Sequence, residues 1–561
     1  MNDPKRPGLT PLGGLFSLMM ILGLVGLGAW LMFRPANAPQ PATPQGTVLT
    51  PNVPVTAPAA NTAAIEGLIP AESAIPRLPP AGTYQAKDGV LILDISEYAG
   101  YAGLIVANGG LEPNADSEFG RLGLKVKLVK SEGDNWGKLN EGQFMASATT
   151  VDVLAVLGRQ YAVTVPLLLS FSRGANGIVV RSDIRNVNDL KGKVLVATQF
   201  NEADFFLRYL TQEAGLEVVT MDVPGDPGEA VGVVYAGDAE QSCAVFAKAL
   251  AAGDKRLAGC VGWAPFTDEV VAASGGQARM LISNRNLLIV ADILTVNGGF
   301  AQAQPDQVAK LVEGALWGNA QLRANATPHF GLLTKAFGWT PEQASSELAK
   351  VHFANQPENQ AFFAGTIASA GSYSGIYQSA VLAYGSMIRN AADSSRFMDG
   401  KPLEAAAKTG RFAAEQIAIA PIRQSTQAVE DTPTLSKDLR FLFQANSDQL
   451  DMSRPENLAF LEAVKSFLQV SPGSRIILRG HVDPTRKEDF KKDGPEVLRK
   501  VTLEAMDLSL RRATSVKSEL INRLKLDPKR LEAVGRGWEE PLKTTDQAKN
   551  RRVEVQWFTL E

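Results

Sequence analysis

Residues 176–223 read NGIVVRSDIRNVNDLKGKVLVATQFNEADFFLRYLTQEAGLEVVTMDV. Three short β-branched runs, NGIVVRS, KVLVAT and LEVVTMDV, are separated by a polar turn and by ADFFLRYLTQEAGL. In the last of these the apolar positions recur at helical spacing. Continuous apolar runs of four to eight residues interleaved with amphipathic helices point to an α/β unit with a mostly parallel sheet. The same texture extends outward on both sides, through VLILDI (90–95), LKVKLV (124–129) and PDQVAKLVEGALWGNAQL (305–322). It fills about 330 residues, more than one compact lobe needs, so the expectation is two lobes over 85–425.

Toward the N-terminus the composition changes. Residues 34–84 are crowded with Pro, Ala, Thr and Asn and read as an extended spacer that buries little apolar surface. Before it, residues 13–33 (GGLFSLMMILGLVGLGAWLMF) carry no charge and are long enough to cross a hydrocarbon core of ~30 Å as a helix. Lys5 and Arg6 lie in the 1–12 segment and orient it inside, so the bulk of the chain is expected outside. A cleaved signal peptide is the rival reading, because Ala36-Asn37-Ala38 fits a cleavage pattern. The apolar run exceeds the usual h-region of about 7–15 residues, and Pro39 would follow the scissile bond, which favours an uncleaved single-pass anchor.

Toward the C-terminus, residues 426–438 form a second irregular linker. Residues 439–561 then read strand (LRFLF), helix (PENLAFLEAVKSFLQV), strand (RIILRG), charged insertion, helix (LSLRRATSVKSELINRL) and two strands (LEAVGRG, RRVEVQWF). The expected fold class is therefore multidomain: one transmembrane helix, a bilobal α/β body and a C-terminal α+β domain.

Composition narrows the chemistry. The 561 residues carry a net charge of −3, which gives no electrostatic reason to expect nucleic acid. Three histidines and two cysteines are too few for a His/Cys zinc site, and there is no Walker-type phosphate loop. No catalytic triad or paired-carboxylate pattern appears, so the chain reads as a binding protein without a cofactor rather than an enzyme. Cys243, at the start of a helix, and Cys260, in the following strand, can either bridge in an oxidising compartment or stay as core thiols.

In the C-terminal segment four blocks stand in order: Phe443–Ser447, Gly480-His481-Val482-Asp483, Leu508-Ser509-Leu510-Arg511-Arg512-Ala513 and Asn550-Arg551-Arg552-Val553-Glu554. Together they resemble the peptidoglycan-binding domain of the OmpA/MotB/Pal family. The resemblance implies that Asp483 and Arg512 clasp the diaminopimelate of the stem peptide, with Asn550 and Arg551 at the site. The chemistry suits a zwitterion: an acid takes the ammonium, and the planar fork of an arginine takes the carboxylate. Arg512 is expected on the first turns of its helix. Two departures are Val482, where the family has threonine, and Ala505, where it has asparagine. The charged stretch 484–507 reads as a solvated insertion. His481 reads as a packed, hydrogen-bonded histidine.

Blocks across Lys87–Ala420 resemble the periplasmic substrate-binding proteins of ABC importers, in the branch for taurine, alkanesulfonates, nitrate and thiamine precursors. They are Ala99-Gly100-Tyr101, Leu139–Phe144 (with Met145 where the family has aspartate), Gly177–Ile184, Val187–Lys193, Gly262–Phe266 and Ala291–Asn297. That resemblance implies two lobes closing on a solute. The candidate cleft residues are Ser96, Tyr98, Tyr101, Thr149, Thr150, Ser172, Arg173, Gln199, Asn201 and Trp263, with Arg173 as the partner for an anionic group.

The reading that follows is an inner-membrane, single-pass solute receptor in the periplasm of a Gram-negative bacterium. It would bind a small anionic or organic solute, serve an ABC permease or another membrane protein, and hold peptidoglycan non-covalently. The alternative is an envelope scaffold or sensor whose lobes contact a protein. A flagellar-stator-like role would need an ionisable residue in the membrane span, and 13–33 has none.

Overall fold

The computed structural model describes residues 64–131, 135–422, 433–444, 447–542 and 544–559. The expected span 13–33, the first part of the spacer and most of the second linker lie outside these residues. Among the described residues, no helix is long and apolar enough to cross a membrane.

Four strands, β1 (Val90–Ile95), β2 (Lys125–Lys130), β3 (Ala146–Thr150) and β4 (Val163–Ser172), begin the first lobe. The chain then crosses to a second lobe built from β5 (Asn176–Arg181), β6 (Val194–Ala197), β7 (Val218–Thr220), β8 (Val231–Tyr235), β9 (Gly259–Trp263) and β10 (Ala278–Ser283). It returns with β11 (Ala291–Asn297) and β12 (Val351–Phe353). Each lobe is thus a six-stranded sheet, ordered β12-β4-β11-β3-β1-β2 and β10-β5-β9-β6-β8-β7. Parallel pairing of β1 with β2 and β3, and of β6 with β8 and β9, follows from the helical crossovers that separate them in sequence. The strands are buried along most of their length, which is why they read as apolar runs and not as alternating patterns.

Two chain crossings join the lobes, Ser172–Asn176 and Ser283–Ala291, and they are tied to each other. Asn284 Oδ1 accepts from the backbone N–H of Gly174 (2.7 Å) and Asn176 (3.1 Å), and Ser172 Oγ bonds Asn176 Oδ1 at 2.6 Å. This knot is the hinge.

The spacer expected over 34–84 gives its last stretch to the body. Ile69 N–H donates to Tyr235 O (2.9 Å), and Gln199 grips Glu72 through both backbone groups (2.7 and 2.9 Å), all on the second lobe. On the first lobe, Leu78 N–H donates to Gln160 (3.0 Å), Asn140 donates to Pro79 O (2.7 Å) and Asn297 donates to Gly82 O (2.9 Å). Residues 69–84 therefore strap one lobe to the other. Proline-rich backbone cannot pair with itself, so its polar groups are met by amide side chains of the body.

The C-terminal domain is a four-stranded sheet ordered β13 (Leu435–Leu439), β16 (Val553–Phe558), β14 (Arg475–Gly480) and β15 (Leu531–Gly535). The helices Pro455–Val470 and Pro495–Asn522 pack on it through Leu461, Val464, Phe467, Val516 and Leu520, with Trp557 stacked on Phe467. The charged stretch 484–507 is not a loop insertion. It holds a short helix, Lys487–Lys492, and the first half of the long helix, so Arg512 sits well inside that helix and not on its first turns. Strong helix formers and a sparse apolar stripe explain this: Leu498, Val501, Ala505 and Leu508 gather with Phe490 around Trp538.

This domain docks on the second lobe and the hinge. Asn188 exchanges two bonds with the Ser436 backbone (2.8 and 2.9 Å), and Val187 N–H donates to Thr434 O (3.0 Å). Leu288 N–H, in the hinge crossing, donates to Val470 O (2.8 Å), and Gln469 donates to Ile367 O (3.0 Å).

Candidate functional site

A cavity of about 310 Å³ lies between the lobes and beneath the strap. That is at the small end of ligand pockets. Eight of the ten candidate residues line it: Ser96, Tyr98, Tyr101, Thr149, Thr150, Gln199, Asn201 and Trp263. Tyr98 and Tyr101 meet edge to face at 5.4 Å, and Trp136, Phe200 and Trp263 add further ring surface. Some of these polar groups already have structural work. Asn201 caps the helix Glu202–Glu213 by accepting from Ala203 and Asp204 N–H, and Gln199 latches the strap.

Ser172 and Arg173 do not line the cavity. Both belong to the hinge, where Arg173 donates to the backbone oxygens of Arg285 and Ala420. Its guanidinium is spent on these carbonyls, so the expected anion partner is withdrawn. No other Lys or Arg replaces it in the lining.

The lining carries instead acids that the sequence reading passed over. Asp94 at the end of β1 and Asp292 on β11 come from the first lobe; Glu202 and Asp238, at helix starts, come from the second. Asp94 accepts from Ser131 and Ser147, and Asp292 accepts from Ser170 (2.7 Å). Among the described residues none of the four is in an ion pair. Burial, with Glu202 and Asp152 nearby, pushes the Asp292 carboxyl well above its ordinary range. Burial also pushes Glu202 up to about 7 and the adjacent Asp152, fully enclosed, up to about 8. The legible signal was an acid closing an apolar strand, as in VLILDI.

In the C-terminal domain, Gly480 ends β14 where the sheet meets the long helix. A Cβ there would lie 2.0 Å from Ser509 O, so only glycine lets the two elements approach this closely. The turn that follows presents Asp483, whose Oδ1 accepts from Thr485. One helical turn beyond Ser509, Arg512 stacks its guanidinium on Phe443, 5.1 Å to the ring centroid. Its Nε is buried with no hydrogen-bond partner among the described residues. Burial lowers its pKa, and the neighbouring Arg551 lowers it further.

Arg512 and Arg551 line a cavity of about 250 Å³ with Arg440, Arg552, Gln444 and His481. Arg552 is engaged with Asp438 (2.9 Å), whereas Arg551 is exposed at the rim. Asn550 is buried and accepts from Leu542 N–H (2.7 Å), which holds the turn before β16. No ion pair joins Asp483 to Arg512 among the described residues, and Asp483 does not line that cavity. The arrangement offers a cationic receptacle for a carboxylate.

The only described group able to gather three metal-ligand atoms is His481, Glu540 and Glu554. Arg479 contacts both of its acids, and His481 Nε2 lies 3.3 Å from Glu554. Burial opposes ionisation of Glu554, yet the His481 bond and Arg479 hold it below the usual range. The trio is an internal ion network in which a metal would have to displace a guanidinium. Cys243 and Cys260 are buried free thiols with sulfurs 3.2 Å apart.

Residues 442–554 match the OmpA family, so the C-terminal domain is an OmpA family domain. The outer membrane protein Omp38 of Acinetobacter baumannii is 32% identical over 149 residues, covering 25% of this chain. The chain spans 37% of the length of that curated relative. For the α/β body, similar solved structures include the alkanesulfonate-binding protein SsuA from Xanthomonas axonopodis pv. citri bound to MOPS. It is 17% identical with a TM-score of 0.41, over 56% of this chain and 99% of that one. The periplasmic nitrate-binding protein NrtA from Synechocystis PCC 6803 is 12% identical with a TM-score of 0.42, over 60% and 92%. The chain therefore joins a bilobal α/β body of two six-stranded sheets to a C-terminal OmpA family domain.

Proposed function

We propose that this protein is an envelope solute receptor held to peptidoglycan by its C-terminal domain and to the inner membrane by residues 13–33. The observation that carries the reading is the cavity between the lobes. It is enclosed by both sheets and the strap, lined by polar and aromatic side chains, and flanked by a two-crossing hinge. Such a body closes on a small molecule, and closure is what a hinge of two short crossings permits. Asp483 and Arg512 are the proposed clasp on the diaminopimelate end of the stem peptide, with Asn550 and Arg551 supporting it. A membrane permease or another inner-membrane protein is the proposed recipient of the solute or of the closure signal.

One observation favours sensing over delivery. The wall domain is docked on the second lobe and the hinge, and the strap ties the lobes to the segment that leads to the proposed anchor. A receptor tethered at both ends serves a fixed neighbour. The test is thermal unfolding of the full chain in detergent against a panel of cationic, anionic and neutral small molecules. Solute binding raises the midpoint with ligand concentration; an unchanged midpoint across the panel favours the protein-contacting scaffold.

A further inference from the structure

We infer that the solute is a small organic cation, carrying an ammonium, quaternary ammonium or amidinium group on a compact body. The inference rests on the solute-receptor reading and assigns its ligand class.

Three independent features converge. First, the cavity lining holds Asp94, Asp292, Glu202 and Asp238 and, on the strap, Glu72, while it holds no Lys or Arg. The acids come from both lobes and from the lid above them, so closure brings negative groups toward whatever sits between. Second, the lining is rich in aromatic side chains: Tyr98, Tyr101, Trp136, Phe200 and Trp263. Ring faces attract a desolvated cation and do nothing for a sulfonate or a nitrate. Third, the acids are not gathered as a metal site. No three of their oxygens converge within 4.8 Å of one another among the described residues. A bare divalent ion would have too few ligands, whereas an organic cation needs only one carboxylate and a wall.

The electrostatics agree. The cation that acts on Asp94 is Lys138, outside the lining, and Arg208 is paired with Asp204 at 2.7 Å. Asp292 and Glu202, one from each lobe, both line the cavity without a Lys or Arg in the lining, and burial holds both toward their protonated forms. An entering cation supplies the missing charge and drives out those protons.

The test is isothermal titration of the full chain in detergent with choline and agmatine as cation probes. Methanesulfonate is the anionic control and cytosine the neutral one. The expected result is binding of at least one cation probe, weakened at least about tenfold in both Asp292→Asn and Glu202→Gln. Titration at pH 6 and pH 8 in buffers of different ionisation enthalpy should show proton release and tighter binding at the higher pH. Glu202 lies at a helix start on the other lobe, so Glu202→Gln reads the charge even if Asp292→Asn perturbs folding. Tighter binding of methanesulfonate or cytosine than of either cation overturns the inference and leaves the receptor reading standing. Binding of no probe overturns the cation inference, and the melting panel then decides the receptor reading separately.

Discussion

Replacing Asn188 by alanine should undock the wall domain without unfolding it. Asn188 Oδ1 accepts from Ser436 N–H at 2.8 Å, and its Nδ2 donates to Ser436 O at 2.9 Å and Ala214 O at 3.3 Å. Two good bonds at about 1 kcal/mol net each, with a further cost for the stranded Ser436 backbone groups, make the loss about 2–3 kcal/mol. That is a shift of roughly 30- to 150-fold toward the undocked state. The Lys437–Glu213 pair beside it, 3.6 Å apart and largely shielded from solvent, spans the same interface and is left in place. Hydrogen exchange read by mass spectrometry follows the change directly. The amides of Val187 and Leu288 donate across the interface, so peptides containing them should exchange faster in Asn188→Ala. Peptides covering β14, inside the wall domain, should not change. Unaltered exchange at Val187 and Leu288 would refute the docking argument, and faster exchange everywhere would mean that the substitution unfolds the chain.

Two further outcomes are expected. Glu202 is raised to about 7 and Asp152 to about 8. In the window between about pH 4.5 and 8 the folded chain holds protons that the unfolded chain has released, so stability falls as pH rises through it. The ligand-free melting midpoint should be higher at pH 5 than at pH 8, and a flat profile would contradict the enclosed-carboxyl assignment. Gly480→Ala forces a methyl against Ser509 O, an overpacking cost of about 1–3 kcal/mol, and should lower wall-domain stability and peptidoglycan retention together. Calorimetry with sedimentation assays on the same variant checks both.

The two sheets were legible because buried strands and their crossover helices differ plainly in apolar period. The packing of the strap was not, since its register is set by Gln160, Gln199 and Asn140, each far away in sequence. The stretch 484–507 misled because its solvated face dominates the composition while only every third or fourth residue meets Trp538. Arg173 misled for a different reason. A small-residue turn after a strand is equally a cleft edge or a hinge, and only the Asn284 partner, 111 residues on, decides between them. The cleft acids belong to no motif, and only the fold brings Asp94, Glu202 and Asp292 to one cavity.

Peptidoglycan sedimentation of the full chain tests the central claim most directly, using wall with diaminopimelate stems beside wall with lysine stems. A lysine stem keeps the ammonium but lacks the second carboxylate that Arg512 is proposed to take. The account predicts retention on the diaminopimelate wall alone, lost in Asp483→Ala and in Arg512→Ala. Equal retention on both walls, or undiminished retention of both variants, would contradict it.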